Sequence, residues 1–357
     1  GFTIKLDQIA DEAVTVNLTY SGVAADGSDF SGVAQISVPA NSASYDLDLV
    51  TIDDGVYEGA EAFTVTIASV AGAEATIGTA TASTTIADNE SAPVVSIEAD
   101  QTSVTEGAVA GFTIKLDQVA DEAVTVNLSY SGVAADGTDF TGISQITVSA
   151  NSASYDLDLA TLDDAVYEGA EAFTVTIASV SGADATVSTA KNSASTTIAD
   201  NESAPVVSIE ADQTSVTEGN TAGFTIKLDQ IADEAVTVNL SYSGVAADGS
   251  DFTGVAQISV PANSASYDLD LATLDDAVYE GAEAFTVTIA SVAGAEATIG
   301  TATASTTIAD NESAPVVSIA ADQTSVTEGA VAGFTIKLDQ IADEAVTVNL
   351  TYSGVAA

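Results

Sequence analysis

The block Gly-Phe-Thr-Ile-Lys-Leu-Asp-Gln begins at Gly1, Gly111, Gly223 and Gly333, so the chain repeats itself at spacings of 110, 112 and 110 residues. No other feature constrains the fold as strongly. Solenoid repeats run to about 20–50 residues, whereas a period of about 110 is the size of a domain with its own core. Proline follows Asp-Asn-Glu-Ser-Ala at Pro93, Pro205 and Pro315, and it holds the preceding residue in extended backbone. The expected domains are residues 1–92, 93–204, 205–314 and 315–357. The first copy lacks its opening and the last breaks off, so the array is expected to continue beyond both. Roughly two or three residues separate one copy's last acidic motif from the next strand, which predicts a stiff join rather than a loose tether. The two extra residues of the second copy lie near Lys191 and Asn192.

Within each copy, apolar and polar residues alternate with period two. In the second copy this predicts strands at 94–99, 111–117, 123–130, 143–148, 152–160, 171–179 and 193–199. Phe112, Ile114 and Leu116 share one face, with Thr113 and Lys115 on the other; Val124, Val126, Leu128 and Tyr130 share another. Short strands with Gly, Asp and Asn between them, and no convincing helix, predict an all-β fold: tandem seven-stranded antiparallel immunoglobulin-like sandwiches in an elongated array.

Charge narrows the partners. There are 53 Asp and Glu against 5 Lys, with no Arg or His, for a net charge of -48. Nucleic acid and anionic membranes are excluded, because binding them requires Lys and Arg. Hydrophobic residues make up 46% of the chain, enough for a core, so the charge does not imply disorder. With no cysteine, disulfides and thiolate metal sites are impossible. No apolar run is long enough to span a bilayer, and no signal peptide is visible, so direct membrane insertion is not expected.

The carboxylates are concentrated at predicted strand ends. Asp163 to Glu171 places four in nine residues, and the stretch recurs from Asp53 and from Asp275. At about 4 Å a pair of like charges costs about 1 kcal/mol in water and about 4 kcal/mol near a protein surface. Such a loop, built three times, predicts a cation. In the second copy, Glu106, Asp139, the loop carboxylates Asp163, Asp164, Glu168 and Glu171, and Asp200 with Glu202 form four acidic groups. Loops at one end of a sandwich converge, and these groups with main-chain carbonyls such as that of Val166 suffice for Ca2+, which takes six to eight oxygens. Without His or Cys, zinc and copper fit poorly. Asp11, Glu12, Asp26, Asp46, Asp48 and Glu98 read instead as solvated acids, Gly107 and Gly169 as turn glycines, Tyr130 and Tyr155 as core, and Tyr167 as a loop anchor.

The ordered set Val-Thr-Glu-Gly, Gly-Thr-Asp-Phe, Asp-Asp-x-x-x-Glu-x-x-Glu and Asp-Asn-Glu of the second copy, matched repeat by repeat along the chain with Gly-Ser-Asp-Phe in the first and third copies, resembles the Calx-beta domains, which occur in sodium–calcium exchangers, integrins and large bacterial surface proteins. The resemblance implies a seven-stranded sandwich with calcium at its distal loops. Carried over by motif, it implies Glu106, Asp139, Asp163, Asp164, Glu168, Glu171, Asp200 and Glu202 as ligands in the second copy. In the third it implies Glu218, Asp251, Asp275, Asp276, Glu280, Glu283, Asp310 and Glu312. The first copy retains Asp29, Asp53, Asp54, Glu58, Glu61, Asp88 and Glu90, and the last retains Glu328. The sequence departs from the exchanger-type pattern at Asn201 and Asn311, which stand where those domains often continue a run of aspartates.

The expected function is structural and non-enzymatic: calcium-rigidified extender repeats of a long extracellular or cell-surface adhesin or fibre protein. The expected partners are calcium, neighbouring repeats, other copies in a fibre, and a host or surface ligand held by other domains. The alternative is a calcium-dependent module that binds carbohydrate or protein, for which only Phe140 and Tyr167 lie near the loops. Glycosidase chemistry by paired carboxylates is disfavoured by identical acidic sets in every copy and by the absence of Arg and His.

Overall fold

The computed structural model describes residues 1–355. Its contacts divide the chain into two units, one formed by Gly1–Asp163 and Glu171–Ala199, the other by Asp164–Ala170 and the chain from Asp200 onward. Among the described residues there are strands and turns and no helix.

In the first unit, the second repeat folds into two facing sheets. One has the order Ser103–Thr105, Ser193–Ala199, Glu171–Ser181, Val124–Gly132, Gln145–Val148; the other has Ser154–Ala160, Val109–Leu116, Val94–Ala99, Thr186–Val187. The long pairings are antiparallel, as expected. Ser103–Thr105 and Thr186–Val187 are additional short strands, each joined in parallel to a sheet edge. Two or three residues are too few to display alternation; they pair because an edge offers free N–H and C=O groups.

The predicted alternation describes the core. Phe112, Ile114, Val124, Val126, Leu157, Leu159, Phe173 and Val175 are fully buried. At its centre the rings of Phe140 and Phe173 stack with centroids 4.2 Å apart, and Phe112 meets Phe173 edge-on at 5.8 Å. Tyr130 and Tyr155 both pack against this core. The register of Val124–Gly132 on Glu171–Ser181 shifts between Asn127 and Leu128. This bulge takes up Ala178, so that Ser179 faces outward beside Asn127 while Ile177 remains buried. The first repeat has the corresponding order Gln35–Val38, Val14–Gly22, Glu61–Ala71, Thr81–Ile86, with Phe30 stacked on Phe63 at 4.1 Å.

The second unit repeats the design. One sheet runs Ser215–Thr217, Thr303–Ala309, Ala282–Ala293, Val236–Gly244, Gln257–Val260, and the other Ser266–Ala272, Thr221–Leu228, Val206–Ala211, Thr298–Ile299. Phe252 stacks on Phe285 at 4.2 Å and Phe224 lies edge-on to Phe285 at 5.8 Å. Beyond these sheets, Val317–Ala321 pairs with Phe334–Leu338.

Phe285 is 1% exposed and touches both other phenylalanine rings of its core, Phe224 and Phe252. Phe285→Ala should therefore cost the third repeat about 3–5 kcal/mol. In a urea titration followed by circular dichroism, the transition of that repeat should move to lower denaturant, separating from the others.

Candidate cation centre

The site is built where strands end. In the third repeat, Ser215–Thr217 runs into Glu218 and Gly219. The Glu218 N–H donates to Ala309 O at 3.0 Å, which ties this turn to the end of Thr303–Ala309. Gly219 has φ of +78°, and a Cβ there would lie 3.1 Å from the Asp275 Cβ, so only glycine lets the Asp275 loop close over the turn.

Asp310 organises the loop. Its Oδ2 accepts the N–H groups of Glu280 and Gly281 at 2.5 and 2.7 Å, and its Oδ1 accepts the Glu312 N–H at 2.7 Å. Burial alone would push its pKa up, but the N–H bonds outweigh that and hold it below the usual carboxylate range. Asp88 in the first repeat does the same with the N–H groups of Glu58, Gly59 and Glu90. Asp200 accepts from Glu168, Gly169 and Glu202. Asp276 Oδ1 accepts the Val278 N–H at 2.7 Å, and Asp54 and Asp164 bond Val56 and Val166 alike, each forming a short turn.

Two carboxylate triplets result in the third repeat. Glu218, Asp310 and Glu312 offer oxygens within 4.8 Å of one another, as do Asp251, Glu280 and Glu283. Glu218 is 6% exposed; its Oε1 and the Glu312 Oε2 are buried with no hydrogen-bond partner. Burial, reinforced by the hydrogen bond to Glu312, raises the Glu218 pKa to about 7. Burial and then Asp251 raise Glu280 and Glu283. Asn311 donates its side-chain amide to Asp275 Oδ1, so this departure from an all-aspartate run holds a loop carboxylate in place.

In the first repeat, Asp29, Glu58 and Glu61 form the matching triplet, and burial, then Asp29 and Asp54, push Glu58 up to about 7. There Asp29, Asp53, Asp54, Glu58, Glu61, Asp88 and Glu90 all line a single shallow pocket. In the second repeat, Glu106 is buried, with its N–H on Ala199 O, and Asp163 lies beside Gly107. Asp139 accepts the Ala135 N–H, and Glu171 opens its strand. Glu328 occupies an exposed turn.

Sequence reasoning missed the next repeat's contribution. Tyr57 forms a parallel bridge with Ala120; its N–H donates to Val119 O, and its carbonyl accepts the Asp121 N–H. Gln118 Nε2 donates to Gly55 O at 2.6 Å. The Tyr57 hydroxyl reaches Asp184 at 3.0 Å, on a hairpin tip where Ala183 and Asp184 have φ of 49° and 48° and Glu122 accepts the Ala183 N–H. In the second unit, Val166–Tyr167 pairs with Ile231–Ala232, and the Tyr167 hydroxyl donates to Glu296 at 2.7 Å. Tyr167 is buried, the loop anchor expected from sequence; its hydrogen bond to Glu296, more than its burial, pushes its pKa up to about 12. Val278–Tyr279 pairs with Ile341–Ala342 in turn.

Asp11 and Glu12 are exposed, as expected of solvated acids, whereas the equivalent Asp-Glu pairs of the later copies take part in the join. Asp121 adds to the field at Glu58 and Glu61, and Asp343 adds to it at Glu280 and Glu283. Glu122 and Glu234 brace hairpins. The available signal was the recurrence of Gln-x-Ala-Asp-Glu at one phase of every copy. Asp26 also shapes a turn, accepting the Gly32 N–H, and Glu98 pairs with Lys115.

Fold and site together define tandem β-sandwiches whose strand-end loops gather carboxylates. A model of the Calx-beta domain matches residues 2–90, 88–202 and 200–312, and the chain belongs to that family. No curated protein matches it in sequence. Among solved structures, the chain is similar to CBD12 from CALX1.2, at 14% identity over 59% of this chain and 99% of that one, with a TM-score of 0.28. It is also similar to the Escherichia coli adhesin FdeC, at 15% identity, 70% and 74% coverage and a TM-score of 0.27. For the Yersinia pseudotuberculosis adhesin InvE the values are 11%, 61% and 59%, and 0.31.

Two outcomes follow. Glu58 and Glu218 keep their protons in the folded chain up to about pH 7, whereas an unfolded glutamate ionises at about 4.3. Folding takes up protons between those values, so the cation-free chain should lose stability as pH rises through the window. The depressed pKa values of Asp88 and Asp310 act in the opposite sense, but only below about pH 4. Thermal melts in chelator should give a higher Tm at about pH 5 than at about pH 8, and Glu218→Gln should shrink the difference. Separately, Tyr167→Phe removes a hydrogen bond to a carboxylate and should cost about 1–2 kcal/mol in a denaturant titration.

Proposed function

We propose that these repeats are calcium-rigidified extenders of a long extracellular or cell-surface protein of adhesin or fibre type, in units beginning at Pro93, Pro205 and Pro315. The observation that carries the reading is that Glu58, Glu168 and Glu280 each follow directly on a tyrosine paired in parallel with residues of the following repeat. The loop that gathers the carboxylates is also the docking segment of the join. A cation that orders the loop therefore orders the junction.

Calcium suits the donors. Two oxygens on one ion, each about 2.4 Å away, are at most about 5 Å apart, and the triplets lie within 4.8 Å. Glu218 Oε1 and Glu312 Oε2 are buried acceptors that lack a donor, and at neutral pH a divalent cation answers both charge and coordination. The ligands in this reading are the carboxylates at Asp29, Glu58 and Glu61, at Glu218, Asp310 and Glu312, at Asp251, Glu280 and Glu283, and their sequence equivalents in the second repeat. Asp53, Asp163 and Asp275 flank them. Among the described residues no helix is long and apolar enough to cross a membrane.

The test uses the full chain. Calcium should raise Tm, by an amount set by RT ln(1 + [L]/Kd), about 2.7 kcal/mol at a hundred times Kd. Small-angle scattering should show a longer, stiffer particle with calcium than with chelator. Glu280→Gln with Glu283→Gln should remove that triplet's share of the calcium response, seen as a smaller calcium-induced rise in the melting of the third repeat, while leaving the cation-free Tm at or above that of the parent. A chain whose shape and melting ignore calcium would end the extender reading and leave the acidic loops as solvated surface.

A further inference from the structure

Each sandwich has one broad face without charge. In the third repeat the outward side of the five-stranded sheet is a grid of hydroxyls and amides. Gln257 Nε2 donates to Asn239 Oδ1 at 2.8 Å, and Asn239 Nδ2 donates to Ser291 Oγ at 2.8 Å. The Thr286 and Ser305 hydroxyls meet at 2.7 Å, and Thr288 stands opposite Thr303 in the next row. Every other outward position of those five strands is Ser, Thr or Ala. The second repeat has the same grid, with Gln145, Asn127 and Ser179 in one row and Thr174 against Ser195 in another. The opposite sheet is acidic: Asp268, Asp270 and Glu210 face outward there, with Lys227 alone against them.

We propose that this uncharged face is where two copies of this chain lie against one another, grid to grid. A chain of net charge -48 repels its copies wherever acidic surfaces meet. Contact through the neutral faces stacks four sheets about 10 Å apart, which places the acidic outer sheets about 30 Å from each other, against a screening length of about 8 Å at physiological salt. Hydroxyls and amides both donate and accept, so the grid is complementary to itself. It carries no aromatic ring for a sugar to stack on and no charge for an ionic partner. Well-behaved protein surfaces carry about 25–35% charged residues, and this face carries none. The proposal stands independently of the cation reading.

The chain has no cysteine, so single cysteines report contact cleanly. In the full chain, Ser241→Cys lies on the neutral face and Ser266→Cys on the acidic one. Under mild oxidation in about 1 M NaCl, where the screening length is about 3 Å, Ser241→Cys should form disulfide-linked dimer several-fold faster. Sedimentation velocity should show parent mass rising with concentration. Thr176→Asp with Thr288→Asp should abolish the rise, and Ser154→Asp with Ser266→Asp should not. Equal or reversed cross-linking, or a parent monomeric at every concentration, overturns the proposal. If the Thr→Asp pair fails to fold by circular dichroism, the cysteine comparison still decides.

Discussion

Carboxylates gathered at the ends of strands repel one another, and the backbone gives the first answer to that repulsion. Asp88, Asp200 and Asp310 each take three N–H groups from the loop they face. At Asp88 and Asp310 those bonds stabilise the ionised form, and in all three repeats they bend the Glu-Gly turn around one oxygen. The neighbours, Glu58, Glu218, Glu280 and Glu283, receive no such set of donors, and burial raises all four. The loop is therefore part anion cradle and part anion surplus. The surplus is what a cation would neutralise.

The same loop is bound at its other side. Val56 and Tyr57 leave the acidic turn and enter a pairing with the next repeat, where Gln118 and the tip at Ala183 and Asp184 receive them. The tip holds consecutive non-glycine residues in the left-handed region, a conformation that costs about 1–2 kcal/mol per residue. Glu122 offsets part of that cost by accepting the Ala183 N–H. The strain places an acidic side chain where the tyrosine hydroxyl can reach it. Ala295, Glu296 and Glu234 repeat the device for Tyr167. A site and a joint built from one loop share their order and disorder.

Much of this was legible in the chain itself. Alternation alone selected Phe112, Ile114, Val124 and Val126 for the core, because a strand with one buried face has no other way to be written. Glycine at 107 and 169 announced positive φ, and both positions have it. The acidic groups were visible as motifs, yet the nine-residue loop hid a division of labour. Asp54 and Asp276 shape turns while Glu58 and Glu280 belong to the triplets. Charge count cannot distinguish a carboxylate that bonds its own backbone from one that faces other carboxylates. The Asp-Glu pair after Gln-x-Ala escaped for a related reason. Its role depends on contact with a tyrosine some sixty residues earlier in the chain, and no local pattern encodes that.

Sequence by itself determined the repeat length, the strand faces, the placement of glycine at turns and the concentration of acid at strand ends, since each follows from local sterics, period-two burial or counting. Only the tertiary structure decided which acids meet. Glu218 finds Asp310 and Glu312 across more than ninety residues because the Ser215–Thr217 strand pairs beside Thr303–Ala309, and Asp121 finds Glu58 because a loop of one repeat adds to an edge of the next. Proximity between groups distant in sequence is set by strand pairing and packing, and the electrostatics of this protein depend on that proximity.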